Sequence, residues 1–245
     1  YFEKSLQTPV DQRIKALATF WTGEIHHQQK NYGVSKGDFN RFITLASNLD
    51  DLPTTSSLAT AHYTQGYNYL KTEDFNNALK HFESCINRIR GVSSPGPVLS
   101  KQILPDALLR AGDCNFKRNR YRPAMAYYDQ AIALEAPGFE YAIFQKGVIQ
   151  GLQGQPLDKL NTLESLANNY PNAAYADDAL LEMAETYQEF NRLDAALEPL
   201  DRLVSQYRGK SDLLNRAYLK MGLISYNLGR VEDALVYYKT IFKNN

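Results

Sequence analysis

The sequence predicts an all-α protein made of about six helical hairpins, and three observations lead to this prediction. Small residues recur along the chain at nearly regular intervals, which indicates an internal repeat. Each of them is followed, at fixed distances, by a second small residue and then by a large one. Turn-forming residues interrupt the apolar periodicity once in each repeat, and no segment alternates with the two-residue period of a strand.

The first observation is the series of small residues, which we call the anchors. A small residue on the first helix of a hairpin lets the second helix approach closely. We therefore expect each anchor to lie where the two helices of its hairpin meet. The anchors are Gly23, Gly66, Gly112, Gly147, Ala184 and Gly222.

The second observation is a small residue twelve positions after the anchor and a large residue four positions later. Residues four apart share one face of a helix. We expect the small residue to receive the next hairpin and the large one to fill the space between hairpins. Stacking would bury faces that a single hairpin leaves exposed, giving one continuous array with a concave side. The small residues are Ser35, Ala78, Ala124, Ala196 and Ala234, with Lys159 in the fourth repeat, and the large residues are Phe39, Phe82, Tyr128, Leu163, Leu200 and Tyr238.

The third observation places the turns and the second helices. Nine positions after the anchors, the second helices are predicted to begin at Tyr32, Phe75, Tyr121, Pro156, Leu193 and Val231. The predicted hairpins span residues 16–43, 59–90, 105–137, 140–171, 177–208 and 215–245, with long connections at 44–57 and 91–104. Because Lys159 and Pro156 depart from the pattern, we expect irregular packing in the fourth hairpin.

This layout of small, aromatic and small positions resembles the tetratricopeptide repeat (TPR) superfamily over most of the chain. The resemblance implies a right-handed α-solenoid, with residues 1–245 forming a single domain. More narrowly, the junction 169–180, which contains Tyr170-Pro171 and Tyr175-Ala176, resembles bacterial envelope TPR proteins such as outer-membrane assembly lipoproteins and Tol-Pal coordinators. That resemblance implies a periplasmic or outer-membrane-associated adaptor in a Gram-negative bacterium, with a cytoplasmic protein as the alternative. We expect no membrane span in the sequence, and any signal or lipid anchor would lie upstream of Tyr1.

The charge balance disfavours nucleic-acid binding, and the absence of motifs such as Gly-x-Ser-x-Gly or His-Glu-x-x-His disfavours catalysis. Lys plus Arg (27) balances Asp plus Glu (27), so the chain has no general field that attracts phosphates. One basic cluster, at the turn of the third hairpin, could bind an anionic ligand, and an RNA-binding helical repeat is therefore the alternative function. Its members are Lys117, Arg118, Arg120 and Arg122. Cys85 and Cys114 are expected to be core residues, and His81 a surface neighbour of Cys85; we expect no enzyme, metal or cofactor.

The expected function is that of a non-catalytic scaffold that binds a protein segment in its concave groove. The resemblance implies that repeat positions 2, 5, 9, 12 and 13, on the first helices, contact the ligand. These positions are mainly apolar, aromatic or acidic, which suits an apolar or weakly basic segment. The predicted groove residues are Phe20, Glu24, Tyr63, Tyr67, Leu109, Asp113, Phe116 and Phe144.

Overall fold

The computed structural model describes residues 11–49, 51–209 and 212–243, which form twelve α-helices and no strand. The helices are α1 (Gln12–Gln28), α2 (Tyr32–Ala46), α3 (Leu58–Lys71), α4 (Phe75–Arg90), α5 (Leu104–Lys117), α6 (Tyr121–Ile132), α7 (Phe139–Leu152), α8 (Pro156–Asn169), α9 (Ala176–Glu189), α10 (Leu193–Gln206), α11 (Leu214–Asn227) and α12 (Val231–Lys243). A 3₁₀ turn (Thr54–Ser56) precedes α3, and a π turn (Leu99–Ile103) precedes α5. Within these residues, no helix is both long and apolar enough to cross a membrane.

The helices pair in sequence order as six hairpins, α1–α2 through α11–α12. They fall into two compact units, residues 1–139 and 140–245, with three hairpins each. Inside a unit, the second helix of one hairpin packs on the first helix of the next, as α2–α3 and α4–α5 do in the first unit and α8–α9 and α10–α11 in the second. This is the stacking of an α-solenoid. That all six hairpins form one continuous array stays a prediction.

All six second helices begin at the residue that the repeat predicted. The first hairpin is longer than the predicted 16–43, because α1 begins at Gln12 and α2 continues to Ala46. Both long connections contain a short helical turn, and α5 begins one residue before its predicted start. The predicted end of the last hairpin, residues 244–245, lies outside the described residues.

The six turns inside the hairpins share one geometry. Seven residues after each anchor, the chain adopts a positive φ, at Lys30, Glu73, Asn119, Gly154, Asn191 and Gly229. The next backbone N–H donates across the turn to the residue three positions after the anchor, as in Asp74 to the Tyr69 carbonyl at 3.0 Å. A left-handed residue with this hydrogen bond is the Schellman motif that ends many helices. The repeat therefore ends each first helix in the same way.

The anchor glycines lie against the large residue of their own hairpin. A β-carbon on Gly66 would lie 2.7 Å from Phe82, and one on Gly147 would lie 2.7 Å from Leu163. The prediction that the large residue fills the space between hairpins is therefore wrong for the hairpins whose anchor is glycine. The large residue faces the first helix of its own hairpin. It follows the anchor by sixteen residues, and because the turn between the two helices reverses the chain, the two residues lie level with each other.

Both cysteines are fully buried, which confirms that they are core residues. Burial raises the pKa of the Cys85 and Cys114 thiols to about 12, so neither is a reactive thiolate. The prediction of a surface histidine at position 81 is wrong, since His81 is half-buried and its Nδ1 lies 2.9 Å from Nδ1 of His62. In the part of the chain that the structure describes, no group of three or more His, Cys, Asp or Glu side chains is arranged to hold a metal ion.

Candidate functional site

Two tyrosines of α3 and one aspartate of α5 form the centre of the candidate site. Tyr63 and Tyr67 are half-buried, one turn apart, with ring centroids 5.2 Å apart in edge-to-face geometry. Both hydroxyls donate to the same oxygen, Oδ2 of Asp106, at 2.8 Å and 2.5 Å. Hydrogen bonds to a carboxylate are stronger than those between neutral groups, so Asp106 holds both rings in place. The two predicted groove residues therefore do lie side by side.

Arg110 joins Asp106 to a second aspartate. Its Nε and Nη2 both donate to Asp106 Oδ1 at 3.2 Å, and its Nη1 donates to Asp113 Oδ2 at 2.5 Å. The hydroxyl of Tyr128 donates to the other Asp113 oxygen at 2.8 Å. Solvent still reaches the charged side chains, with 26% of Arg110 and Asp106 and 15% of Asp113 exposed. We call these six residues, Tyr63, Tyr67, Asp106, Arg110, Asp113 and Tyr128, the Asp106 cluster.

The Asp106 cluster combines an accessible carboxylate with protonated tyrosines. The Asp106 side chain is 26% exposed, so its carboxylate also faces solvent. Burial raises the pKa of Tyr63 far above its usual range, and the neighbouring Tyr67 and Asp106 raise it further. Burial and then Asp106 likewise raise the pKa of Tyr67. Both hydroxyls therefore remain neutral donors, and the cluster offers polar and aromatic contacts rather than an activated acid or base.

Two predicted groove residues are core residues instead. Phe20 is 1% exposed and packs edge-to-face on Phe39 and Phe42 of α2. Leu109 is 3% exposed and lies beneath the backbone of Gly138. The prediction that they line a groove is wrong, because Phe20 packs into its own hairpin against α2 and Leu109 packs against Gly138. Their removal would open a cavity rather than remove a surface contact.

The other predicted groove residues are half-buried. Glu24 accepts a hydrogen bond from Thr64 Oγ1 at 2.6 Å, across to the second hairpin. Phe116 packs on Tyr121 with centroids 5.9 Å apart. In the second unit, Phe144 stacks on Tyr175, with centroids 5.3 Å apart. These three side chains are therefore partly accessible but belong to separate contacts.

The basic cluster occupies the turn of the third hairpin. Arg118 is half-buried and Lys117, Arg120 and Arg122 are exposed, around the left-handed residue Asn119. No ion pair joins the four cations to an acid among the described residues. They are thus available to solvent, but they lie at one turn rather than along successive hairpins.

Arg110 is the functional candidate that the sequence analysis missed. The spacing of charged residues could have predicted its ion pairs, since Asp106 lies four residues before Arg110 and Asp113 three residues after it on one helix. Opposite charges at these spacings face each other on a helix surface. Sequence alone could not show that the two tyrosines of the preceding hairpin reach the same carboxylate.

Comparison with protein-family models agrees with this architecture. Models of the tetratricopeptide repeat match residues 106–135, 141–173, 178–209 and 216–245, and another TPR model matches residues 59–90. Among curated proteins, no sequence matches the chain significantly.

Several solved structures share the fold at low sequence identity. The TPR protein YrrB is 19% identical, with a TM-score of 0.60 over 84% of this chain and 91% of that one. The C-terminal part of a TPR repeat-containing protein from Cytophaga hutchinsonii is 12% identical, with a TM-score of 0.69 over 98% and 85%. PilF of Pseudomonas aeruginosa is 14% identical, with a TM-score of 0.61 over 95% and 93%. Repeat spacing, hairpin geometry and matches over more than half of the sequence together show that this chain belongs to the tetratricopeptide repeat family.

Proposed function

We propose that this chain is a non-catalytic protein-interaction module that binds a segment of a partner protein at the Asp106 cluster. One observation carries the proposal. Residues from the first helices of two successive hairpins, Tyr63 and Tyr67 on α3 and Asp106 on α5, meet in one half-exposed set of aromatic and acidic side chains. Such a set has recognition chemistry but no activated nucleophile or base.

The chemistry of the cluster favours an apolar or weakly basic segment. Tyrosine rings supply contact area with little loss of side-chain entropy, and here their hydroxyls are already held by Asp106. The ring faces attract cations, and the partly exposed carboxylate of Asp106 adds to that attraction. YrrB, which shares the fold, is described as a TPR protein with an unusual peptide-binding site, and this is consistent with peptide binding by a TPR surface.

A direct test measures the binding of short peptides that differ only in charge. Peptides of one apolar pattern carrying basic, neutral or acidic residues are titrated against the whole chain by fluorescence anisotropy. The basic peptide is expected to bind best and the acidic one worst. Replacing Tyr63 and Tyr67 together by Ala is expected to weaken binding by about tenfold or more, the scale of a lost aromatic anchor. Y67F keeps the ring, and we expect it to retain binding.

Circular dichroism and thermal unfolding show whether the alanine variant remains folded. If it unfolds while Y67F binds normally, a second variant, Asp106→Asn, tests the charge contribution without removing a ring. Equal affinity for the acidic and basic peptides, or no loss in either the tyrosine or the aspartate variant, would overturn the proposal.

An RNA-binding repeat is the alternative, and the basic cluster distinguishes it. Replacing Lys117, Arg118, Arg120 and Arg122 by Gln should leave peptide affinity unchanged if the Asp106 cluster is the binding site. If the ligand is single-stranded RNA, the same variant should lose most binding, and wild-type affinity should fall steeply with added salt.

A periplasmic or outer-membrane-associated role in envelope assembly is a further part of the proposal. It rests on the resemblance of the junction 169–180 to envelope TPR proteins. In the structure the hydroxyl of Tyr207, the residue that follows α10, donates to the Pro171 carbonyl of this junction at 2.6 Å. Fractionation of cells that express the protein at its natural level tests the location. Recovery only with the cytoplasmic fraction would contradict it.

A further inference from the structure

The fourth hairpin departs from the repeat at two positions that lie against each other. Twelve residues after the anchor, Lys159 stands where the other hairpins carry Ser or Ala. Four residues after the anchor, Gly151 stands where the others carry the larger residues His27, Leu70, Phe116, Gln188 and Tyr226. A β-carbon on Gly151 would lie 2.8 Å from Lys159 Cδ, so the glycine makes room for the lysine stem. The larger Lys159 and the smaller Gly151 therefore compensate for each other in size.

Lys159 is only 8% exposed and places its charge between two hairpins. Its Nζ donates to Glu182 Oε2 of α9 at 2.7 Å. The ion pair offers little net stability over apolar packing, because the lysine loses its hydration while the Glu182 side chain stays 35% exposed. The equivalent residue of the fifth hairpin, Ala196, is fully buried without any charge. Packing of the repeat therefore does not require the lysine, whose charge instead neutralises Glu182 at the wall of a neighbouring cavity.

A cavity of about 480 Å³ lies beside this ion pair, bounded by α7, α8 and α9. The side chains of Leu152 and Phe190 line it and are 57% and 56% exposed, while Glu189 adds a carboxylate. Glu189 makes no ion pair among the described residues, whereas Lys159 neutralises Glu182. The cavity thus combines apolar walls with one uncompensated negative charge.

These walls suit a long side chain that ends in a cation. The aliphatic stem of Lys or Arg can lie along apolar residues while its charged end remains at the solvent edge. The Phe190 ring would add a cation–π contact, and Glu189 an ionic one. We propose that this cavity binds a lysine or arginine side chain of a partner protein. The proposal rests on the proposed protein-binding function, but it uses residues of the second unit, separate from the Asp106 cluster.

The test is a nuclear magnetic resonance titration of the whole chain with blocked peptides, Gly-Ser-Gly-X-Gly-Ser-Gly, in which X is Arg, Lys, norleucine or Glu. The Arg and Lys peptides are expected to shift the backbone amide resonances of Gly151, Leu152 and Phe190. Norleucine keeps the stem without the charge, so we expect its affinity to be about tenfold lower.

Three variants test which charged side chains affect the binding of the Arg peptide. E189Q should weaken binding of the Arg peptide several-fold. K159M keeps most of the stem but frees the Glu182 carboxylate, so affinity for the Arg peptide should increase. E232Q removes an exposed acid of α12 in the same unit and should change nothing.

The proposal is overturned if norleucine binds as well as arginine, if the Glu peptide binds best, or if E189Q and E232Q behave alike. Shifts confined to Tyr67, Arg110 and their neighbours would also overturn it, while supporting the Asp106 cluster. Conversely, shifts only around Phe190 would support this cavity and count against the Asp106 cluster.

Discussion

The ring of Tyr128 occupies the space that a β-carbon of residue 112 would need, since a β-carbon on Gly112 would lie 2.5 Å from Tyr128 Cε1. Tyr128 is fully buried, and its hydroxyl donates to Asp113 at 2.8 Å. The close approach of α5 and α6 therefore positions the same side chain that holds one end of the Asp106 cluster. In the third hairpin, packing of the repeat and geometry of the candidate site depend on one tyrosine.

Gly112→Ala is expected to destabilise the chain by about 1–3 kcal/mol, the usual range for overpacking a filled core. Urea unfolding followed by circular dichroism measures the change. Gly37→Ala is the matched control, because α2 leaves open space around a β-carbon there. It should raise stability by about 0.5–1 kcal/mol, since alanine favours helix over glycine.

Tyr128→Leu should partly rescue Gly112→Ala, because the fifth hairpin pairs Ala184 with Leu200 at the same two positions. A Gly112→Ala variant as stable as the wild type would show that α6 shifts at little cost. In that case the anchor does not determine the approach of the helices.

The left-handed turn residues give a second prediction. Glu73 has φ 59°, a conformation that an L-residue adopts with strain and glycine adopts freely. Glu73→Gly should therefore stabilise the chain by about 0.5–1 kcal/mol. Gly154 has φ 71° with open space around it, so Gly154→Ala should destabilise by about 1 kcal/mol through backbone strain alone. Thermal unfolding of both variants measures the pair, and changes of the same sign would contradict the shared turn geometry.

The pair of His62 and His81 predicts a loss of stability on acidification. Their Nδ1 atoms lie 2.9 Å apart, so one ring must donate and the other accept. Burial, and then the charge of His81, lowers the pKa of His62 to about 4; burial, and then Lys80, lowers the pKa of His81 to about 4. Between these values and the ordinary pKa of 6.5 the unfolded chain binds more protons than the folded one. Stability should therefore be full above about pH 6.5 and fall as the pH drops toward about 4, by on the order of 2 kcal/mol.

Urea unfolding at a series of pH values measures this dependence. Carboxylates also titrate near the acid end, so the comparison is with the double variant His62→Leu, His81→Leu. The variant should show a flatter decline above about pH 4. Parallel curves for variant and wild type would mean that the histidines do not cause the loss.

Much of the fold could be predicted from the sequence, because the repeat depends on residues that are close together in the chain. The anchor Gly66, the turn at Glu73 and the helix start at Phe75 follow one another within ten residues, so their spacing is determined by helix geometry. The candidate site could be predicted from the sequence only in part. Tyr63 and Tyr67 were correctly placed beside each other, whereas Phe20, at the same repeat position as Tyr63, turned out to be buried.

The sequence by itself determined the number of hairpins, their second-helix starts and the glycine positions where helices meet, because backbone hydrogen bonds and 3.6-residue periodicity act over short distances. Only the tertiary structure decided which fifth-position side chains face inward, because that depends on how much space the second helix leaves. It also decided that Tyr63 and Tyr67 share the carboxylate of Asp106, about forty residues away in the chain, and that Lys159 reaches Glu182. Such contacts join different hairpins, and their geometry follows from stacking rather than from any local spacing.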